Sequence, residues 1–341
     1  MAFSGTGLFP EAIPEIQKRE NELFVSYNVG KPEPSTESTD QNEGRNKKSG
    51  WKVKELESRD GQTRLKTNVF FTSFDQCSDT AAGESACTAP VVVISHWLQS
   101  NRDAMPSSSE FDNPILQGSS EWRKLCQKDT YINDFPNKHF DLETILHAGI
   151  RPMAISHDQS FVGFFSPEKF GSLQGVMSFD QIWDKISSVA DDIEFEPEVY
   201  IISWNDHFFV LKVKANAYYI IDSLGERLFE GCSKAYILRY DDNTMMYEKV
   251  AEEKSQQNET KAQEEMICKG KECCREFINR FLAAIPVKEL EEQEKKETVS
   301  YFSLHHQLQI EFNFSYLLSS SSSSLTSSPF YSSATSTPSY L

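Results

Sequence analysis

Three side chains in this sequence are of the types that together perform nucleophilic chemistry: Cys87, His207 and Asp222. A thiolate attacks carbonyl carbon and an imidazole takes the thiol proton. A carboxylate on one ring nitrogen fixes the tautomer and leaves the other nitrogen free as a base. Cys87 stands where the small, polar Ala81-Ala-Gly-Glu-Ser-Ala stretch gives way to the apolar run from Thr88 to Leu98. Ser85 or Cys87 would cap a buried helix there. Pro90 would fall in its first turn, where a missing N–H costs little. A thiol at that point feels the positive end of the helix dipole, which lowers its pKa.

The elements that must position the other two residues read as strands. Val199 to Val213 carries His207, and Tyr218 to Gly225 carries Asp222. Both are rich in β-branched and aromatic residues, and the second is a continuous apolar run expected to be buried on both faces. The short link Lys214-Ala-Asn-Ala217 makes them antiparallel neighbours. Imidazole and carboxylate would then meet at one end of a sheet. Each residue also has a plain structural use. Cys is among the most buried residue types, a strand His is commonly a hydrogen-bonded core residue, and Asp commonly ends a strand at a turn.

The order Cys, then His on a strand, then Asp on the next resembles the papain-like cysteine peptidases. The passage Asp206-His-Phe208 to Ile221-Asp-Ser223 is similar to the His–Asn/Asp half of many of them. That resemblance implies Gln76, upstream of Cys87, as the glutamine supplying an oxyanion-hole donor. A second resemblance covers more of the chain, from about Trp51 to Phe312. The blocks are Gly83-Glu-Ser-Ala-Cys-Thr88, Gly118-Ser-Ser-Glu-Trp-Arg123, Phe135-Pro-Asn-Lys-His-Phe-Asp-Leu-Glu-Thr144, Trp204-Asn-Asp-His207, Ile221-Asp-Ser-Leu-Gly-Glu-Arg227 and Phe281-Leu-Ala-Ala-Ile-Pro286. They resemble the C-terminal region of plant NT-type C-two domain proteins. This implies an intracellular protein whose C-two domain would bind lipid or cytoskeletal partners. No such domain fits before Trp51, so membrane contact is expected only through a domain absent from this chain.

Composition narrows the alternatives. The chain has 341 residues and a net charge of −17, with 51 acidic against 34 basic side chains. No basic stripe appears, so binding to nucleic-acid phosphates or to an anionic membrane surface is not expected. A hydrophobic content of 38%, with 24 Phe and 12 Tyr, can build a real core. No apolar run approaches a membrane span, and Met1-Ala-Phe-Ser-Gly-Thr-Gly7 lacks the pattern of a secretory leader. Seven cysteines without framework spacing suit reduced thiols in the cytosol or nucleus.

The expected organisation is a disordered segment over 1–50, an α+β domain over 51–314 and a Ser-rich disordered tail over 315–341. The charged stretch 251–265 is an exposed insertion. Strands are expected at Trp51–Leu56, Leu65–Phe71, Ile150–Ile155, Phe161–Phe165 and Ala235–Tyr240, with the last at Phe302–Phe314. Helices are expected from Cys87 to Ser100, Ser119–Lys128, Phe140–Ala148, Phe179–Val189 and Lys271–Ile285. Helices before an antiparallel sheet give the α+β, papain-like class.

Two other chemistries are weaker. Cys268, Cys273 and Cys274 with His305 and His306 lack a Cys-x-x-Cys pair for zinc. Cys273 as the nucleophile would need a permuted order, and its helical periodicity favours packing. No cofactor is implied. Two functions of different class follow. One is a degenerate papain-like domain acting as an intracellular scaffold with a protein partner. The other is an active cysteine hydrolase of amide or isopeptide bonds.

Overall fold

The computed structural model describes residues 50–190, 196–249 and 264–318. The expectations for the N-terminal segment, for nearly all of the charged insertion and for the tail beyond Leu318 lie outside these residues. In chain order the elements begin with β1 (Trp51–Glu57), β2 (Thr63–Phe71), α1 (Thr88–Ser100), α2 (Ser108–Leu125), α3 (Asp129–Asp134) and α4 (Leu142–His147). Then come β3 (Met153–Ile155), β4 (Phe161–Phe164), α5 (Phe179–Ala190), β5 (Glu198–Trp204), β6 (His207–Lys214), β7 (Ala217–Asp222), β8 (Tyr236–Tyr240) and β9 (Met245–Lys249). The last are β10 (Glu264–Lys269), α6 (Glu272–Phe277), a π-helical turn (Ile278–Ala283), α7 (Ala284–Lys295), α8 (Tyr301–Leu308) and β11 (Gln309–Leu317).

The strands form one antiparallel sheet in the order β10-β9-β2-β8-β7-β6-β5-β11-β3, with β1 on β2 and β4 on β11. Its central strands are buried on both faces, which is why they read as unbroken apolar runs. Val199, Ile201, Val210, Tyr219, Ile221 and Ile237 face α1, α2 and α4, packing with Val91, Val92, Ile94, Phe111 and Ile145. The alternate residues Tyr200, Ile202, Phe209, Leu211, Tyr218 and Ile220 face α5, α6 and α8. The expected α+β class, with N-terminal helices on an antiparallel sheet, is what the structure shows. The second helical layer, on the opposite face, was not anticipated.

Three elements differ from the sequence expectation. The stretch Val199 to Val213, expected as one strand, is two, because Asn205 and Asp206 turn it back on itself as the β5–β6 hairpin. The stretch Phe302–Phe314 is half helix. Ser300 caps α8 by accepting from the Ser303 N–H at 3.0 Å, and Leu304 and Leu308 face the core four residues apart. Only from Gln309 does the chain become β11. The helix expected from Ser119 instead starts at Ser108, where the Glu110 carboxylate accepts from the Ser107 N–H at 2.8 Å. Pro114 inside it hides the first half from pattern reading. Pro286 has a visible consequence too. It offers no N–H to the preceding turn, and the π-helical turn occupies that position.

Pro90 lies in the first turn of α1, as expected, and is buried. A side chain on Gly118 of α2 would place its Cβ 2.4 Å from the Pro90 Cα. Only glycine permits this approach, and it fixes how α2 crosses the start of α1. No helix among the described residues is long and apolar enough to cross a membrane.

Candidate functional site

His207 is the first residue of β6, placed by a two-residue hairpin from β5. Trp204 and His207 pair across it, and the central residues Asn205 and Asp206 have φ of +49° and +55°. That is the type I′ turn, whose twist matches the strands and which Asn and Asp tolerate best after glycine. The turn is pinned from two sides. Asp206 pairs with His306 of α8 at 2.7 Å, which holds the Asp206 carboxyl below its usual range. The Arg227 guanidinium donates to the Asn205 carbonyl at 3.4 Å and lies 5.9 Å from the centre of a Trp204 ring.

Asp222 is the last residue of β7. Its Oδ2 lies 2.8 Å from His207 Nε2 and accepts from the Tyr236 hydroxyl at 3.2 Å, while Oδ1 accepts from the Leu224 N–H at 2.9 Å. His207 and Asp222 are 4% and 3% exposed. With the carboxylate on Nε2, the tautomer that satisfies the contact carries its proton there and leaves Nδ1 as the basic nitrogen. Tyr236 stands directly opposite Asp222 in the β7–β8 ladder. Burial and the neighbouring carboxylate push its phenol pKa well up, so it remains a donor.

Cys87 sits at the start of α1, as the sequence implied, but its thiol does not cap the helix. Thr88 Oγ1 is 4.0 Å from the sulfur, and the Phe208 backbone N–H, one residue beyond His207, faces it. Thr88 is held in turn by donating to the Phe140 carbonyl at 2.6 Å. The expected lowering of the thiol pKa is reversed. Burial pushes it up first, hydrogen bonding to Thr88 opposes that, and the Asp222 charge raises it further against a smaller contribution from the Phe208 N–H. The resting group is a neutral thiol, 7% exposed.

Gln76 is brought to the same corner. Its Oε1 accepts from Ser223 Oγ at 2.7 Å, its backbone pairs with Ser223 and Gly83, and its Nε2 reaches the Glu84 carbonyl at 3.4 Å. It thus ties the residue after Asp222 to the loop before Cys87. Asp75 beside it accepts from the N–H groups of Cys77, Ser78 and Gly225. Sequence reasoning missed Asp75, Ser223 and Tyr236. Only Tyr236 was within reach of a register argument, since the strand holding it was foreseen.

The other cysteine readings separate clearly. Cys274 is fully buried, and burial pushes its thiol pKa well up. Cys268 and Cys273 bring their sulfur atoms to 3.2 Å. No cluster of three or more metal-ligating side chains occurs among the described residues.

The site lies inside a recognised family. The model for the domain of unknown function DUF8490 matches residues 53–315, and the chain belongs to that family. No curated protein matches the chain in sequence. Among solved structures, it is similar to the ubiquitin-specific protease encoded by a murine cytomegalovirus tegument protein, in complex with a ubiquitin-based suicide substrate. The identity is 11% and the TM-score 0.41, over 76% of this chain and 89% of that one. The resemblance to NT-type C-two proteins has no counterpart in these matches.

Proposed function

We propose that this member of the DUF8490 family is a thiol hydrolase of papain-like arrangement, acting on amide or isopeptide bonds. Cys87 is its nucleophile, His207 its general base and Asp222 the residue that orients the imidazole. The observation that supports this most is the buried 2.8 Å contact between His207 Nε2 and Asp222 Oδ2, with the Cys87 thiol facing the Phe208 N–H beside it and feeling the Asp222 charge. A carboxylate with three donors, one of them an imidazole, is the base-plus-orienter pair that a thiol nucleophile needs.

In this reading the neutral thiol gives its proton to His207 Nδ1 as the sulfur attacks the carbonyl carbon. The carbon–sulfur bond forms and the carbonyl electrons move onto oxygen. The imidazolium then protonates the leaving amine as the carbon–nitrogen bond breaks, giving a thioester. Water, deprotonated by the same imidazole, attacks the thioester and returns the thiol. Gln76 keeps the Cys87 loop against the end of β7. Its Oε1 is held by Ser223, and its Nε2 has one N–H on the Glu84 carbonyl and a second N–H to offer a developing oxyanion.

One observation favours a second reading, a degenerate domain that acts as an intracellular protein-binding scaffold. The thiol is almost covered, and burial holds it neutral. An activated ester separates the two. A hydrolase takes the acyl group on Cys87, and Cys87→Ala abolishes that modification while leaving the fold intact. A scaffold carries acyl groups only on its accessible thiols, and Cys87→Ala changes nothing.

A further inference from the structure

On the far side of the sheet from α1, Cys268 of β10 and Cys273 of α6 bring their sulfur atoms to 3.2 Å. Bonded sulfurs lie about 2.05 Å apart, so closure needs only about 1 Å of approach. The backbone already holds both ends of this step. Lys269, Gly270 and Lys271 form the turn, with Gly270 at φ +78°, which glycine adopts without strain. The Gly270 N–H donates to the Thr244 carbonyl at 2.9 Å, and the Cys273 N–H returns to the Gly270 carbonyl at 3.2 Å. Cys268 is half-buried and Cys273 fully buried, so a solution oxidant meets Cys268 first.

We propose that Cys268 and Cys273 are a redox modification site, a dithiol that closes to a disulfide on exposure to a hydroperoxide. In the first step the Cys268 sulfur attacks one peroxide oxygen. The oxygen–oxygen bond breaks, water leaves, and Cys268 becomes a sulfenic acid. In the second step the Cys273 sulfur attacks the Cys268 sulfur. The sulfur–oxygen bond breaks and a second water leaves. Two thiols are oxidised, one peroxide is reduced, and a dithiol reductant reverses the change by exchange.

The linked residues are close in sequence, so the bond restrains the unfolded chain little. Its effect is local. β10 is an edge strand whose pairing with β9 is interrupted by a register shift between Met266 and Cys268. The disulfide fastens it to α6, whose Phe277 is buried against Tyr240.

The test treats the full chain with hydrogen peroxide, alkylates it with iodoacetamide and maps its peptides by mass. The expected result is loss of two hydrogens, linked peptides containing Cys268 and Cys273, and loss of alkylation at both. Dithiothreitol should restore them. Cys268→Ser, at a half-buried position that tolerates the change, should abolish the link, and oxidation should slow hydrogen exchange of the β10 amides in the native chain. Sulfinic acid at Cys268 with Cys273 still a thiol would overturn the proposal, as would linkage through Cys274 or unchanged β10 exchange in the linked protein.

Discussion

His207 Nε2 and Asp222 Oδ2 lie 2.8 Å apart inside the protein, on neighbouring strands that the hairpin at Ala215 and Asn216 holds in register. Two other donors converge on the same carboxylate, the Tyr236 hydroxyl and the Leu224 N–H. Asp222→Ala therefore leaves the imidazole N–H and the phenol O–H buried and unpaired. Each such orphan costs about 1–3 kcal/mol, so the variant should lose at least about 2 kcal/mol in urea denaturation. Asp222→Asn keeps an acceptor oxygen and should lose clearly less. Equal losses would mean that the contact contributes nothing specific.

The raised Cys87 pKa has a definite sign in solution. The folded chain holds its thiol proton to higher pH than the unfolded chain does. Stability is therefore fully present below the unfolded thiol value of about 8.5 and falls as pH rises through the folded value. Iodoacetamide labelling of native Cys87 should keep increasing with pH where the same residue in the denatured chain has already levelled off. A native plateau below that of the denatured chain would reverse the assigned cause. Cys77, whose thiol is pushed up to about 11 chiefly by burial, gives an internal comparison.

Gly118 tests the packing that sets the start of α1. Gly118→Ala forces a methyl to within 2.5 Å of the Pro90 backbone, so one helix must move. Overpacking of this kind costs typically about 1–3 kcal/mol. The variant should show a lower urea midpoint. Because α1 begins at the Cys87 corner, acylation of Cys87 should also slow. Unchanged stability would show that the two helices have slack.

Much of this arrangement is legible in the residues themselves. The β-branched and aromatic runs flanking His207 and Asp222 specify buried antiparallel strands, but not the Asn205-Asp206 turn that divides the Val199 to Val213 run into β5 and β6. What is not legible depends on tertiary contact. The alternation in Phe302–Phe314 satisfies strand and helix equally until Leu304 and Leu308 meet the core. The neutral state of Cys87 follows from burial, which no helix-terminus argument contains. Gln76 owes its place to Ser223, 147 residues away in sequence, and to the Glu84 carbonyl, contacts that only the folded chain makes. The approach of Cys268 to Cys273 depends on the turn at Gly270, which spacing alone does not reveal.

The central claim is that His207 serves Cys87 as a base, and the most direct measurement is the acylation rate of Cys87. The chain is mixed with p-nitrophenyl acetate near neutral pH, nitrophenolate release is followed, and the acetyl group is located by peptide mass. A general base is worth about 10²–10⁴-fold in rate. The expected result is acetyl on Cys87 formed ahead of its hydrolysis, with an acylation rate that falls about 10²-fold or more in a folded His207→Ala chain. The same Cys87 acylation rate in the native and His207→Ala chains would contradict it.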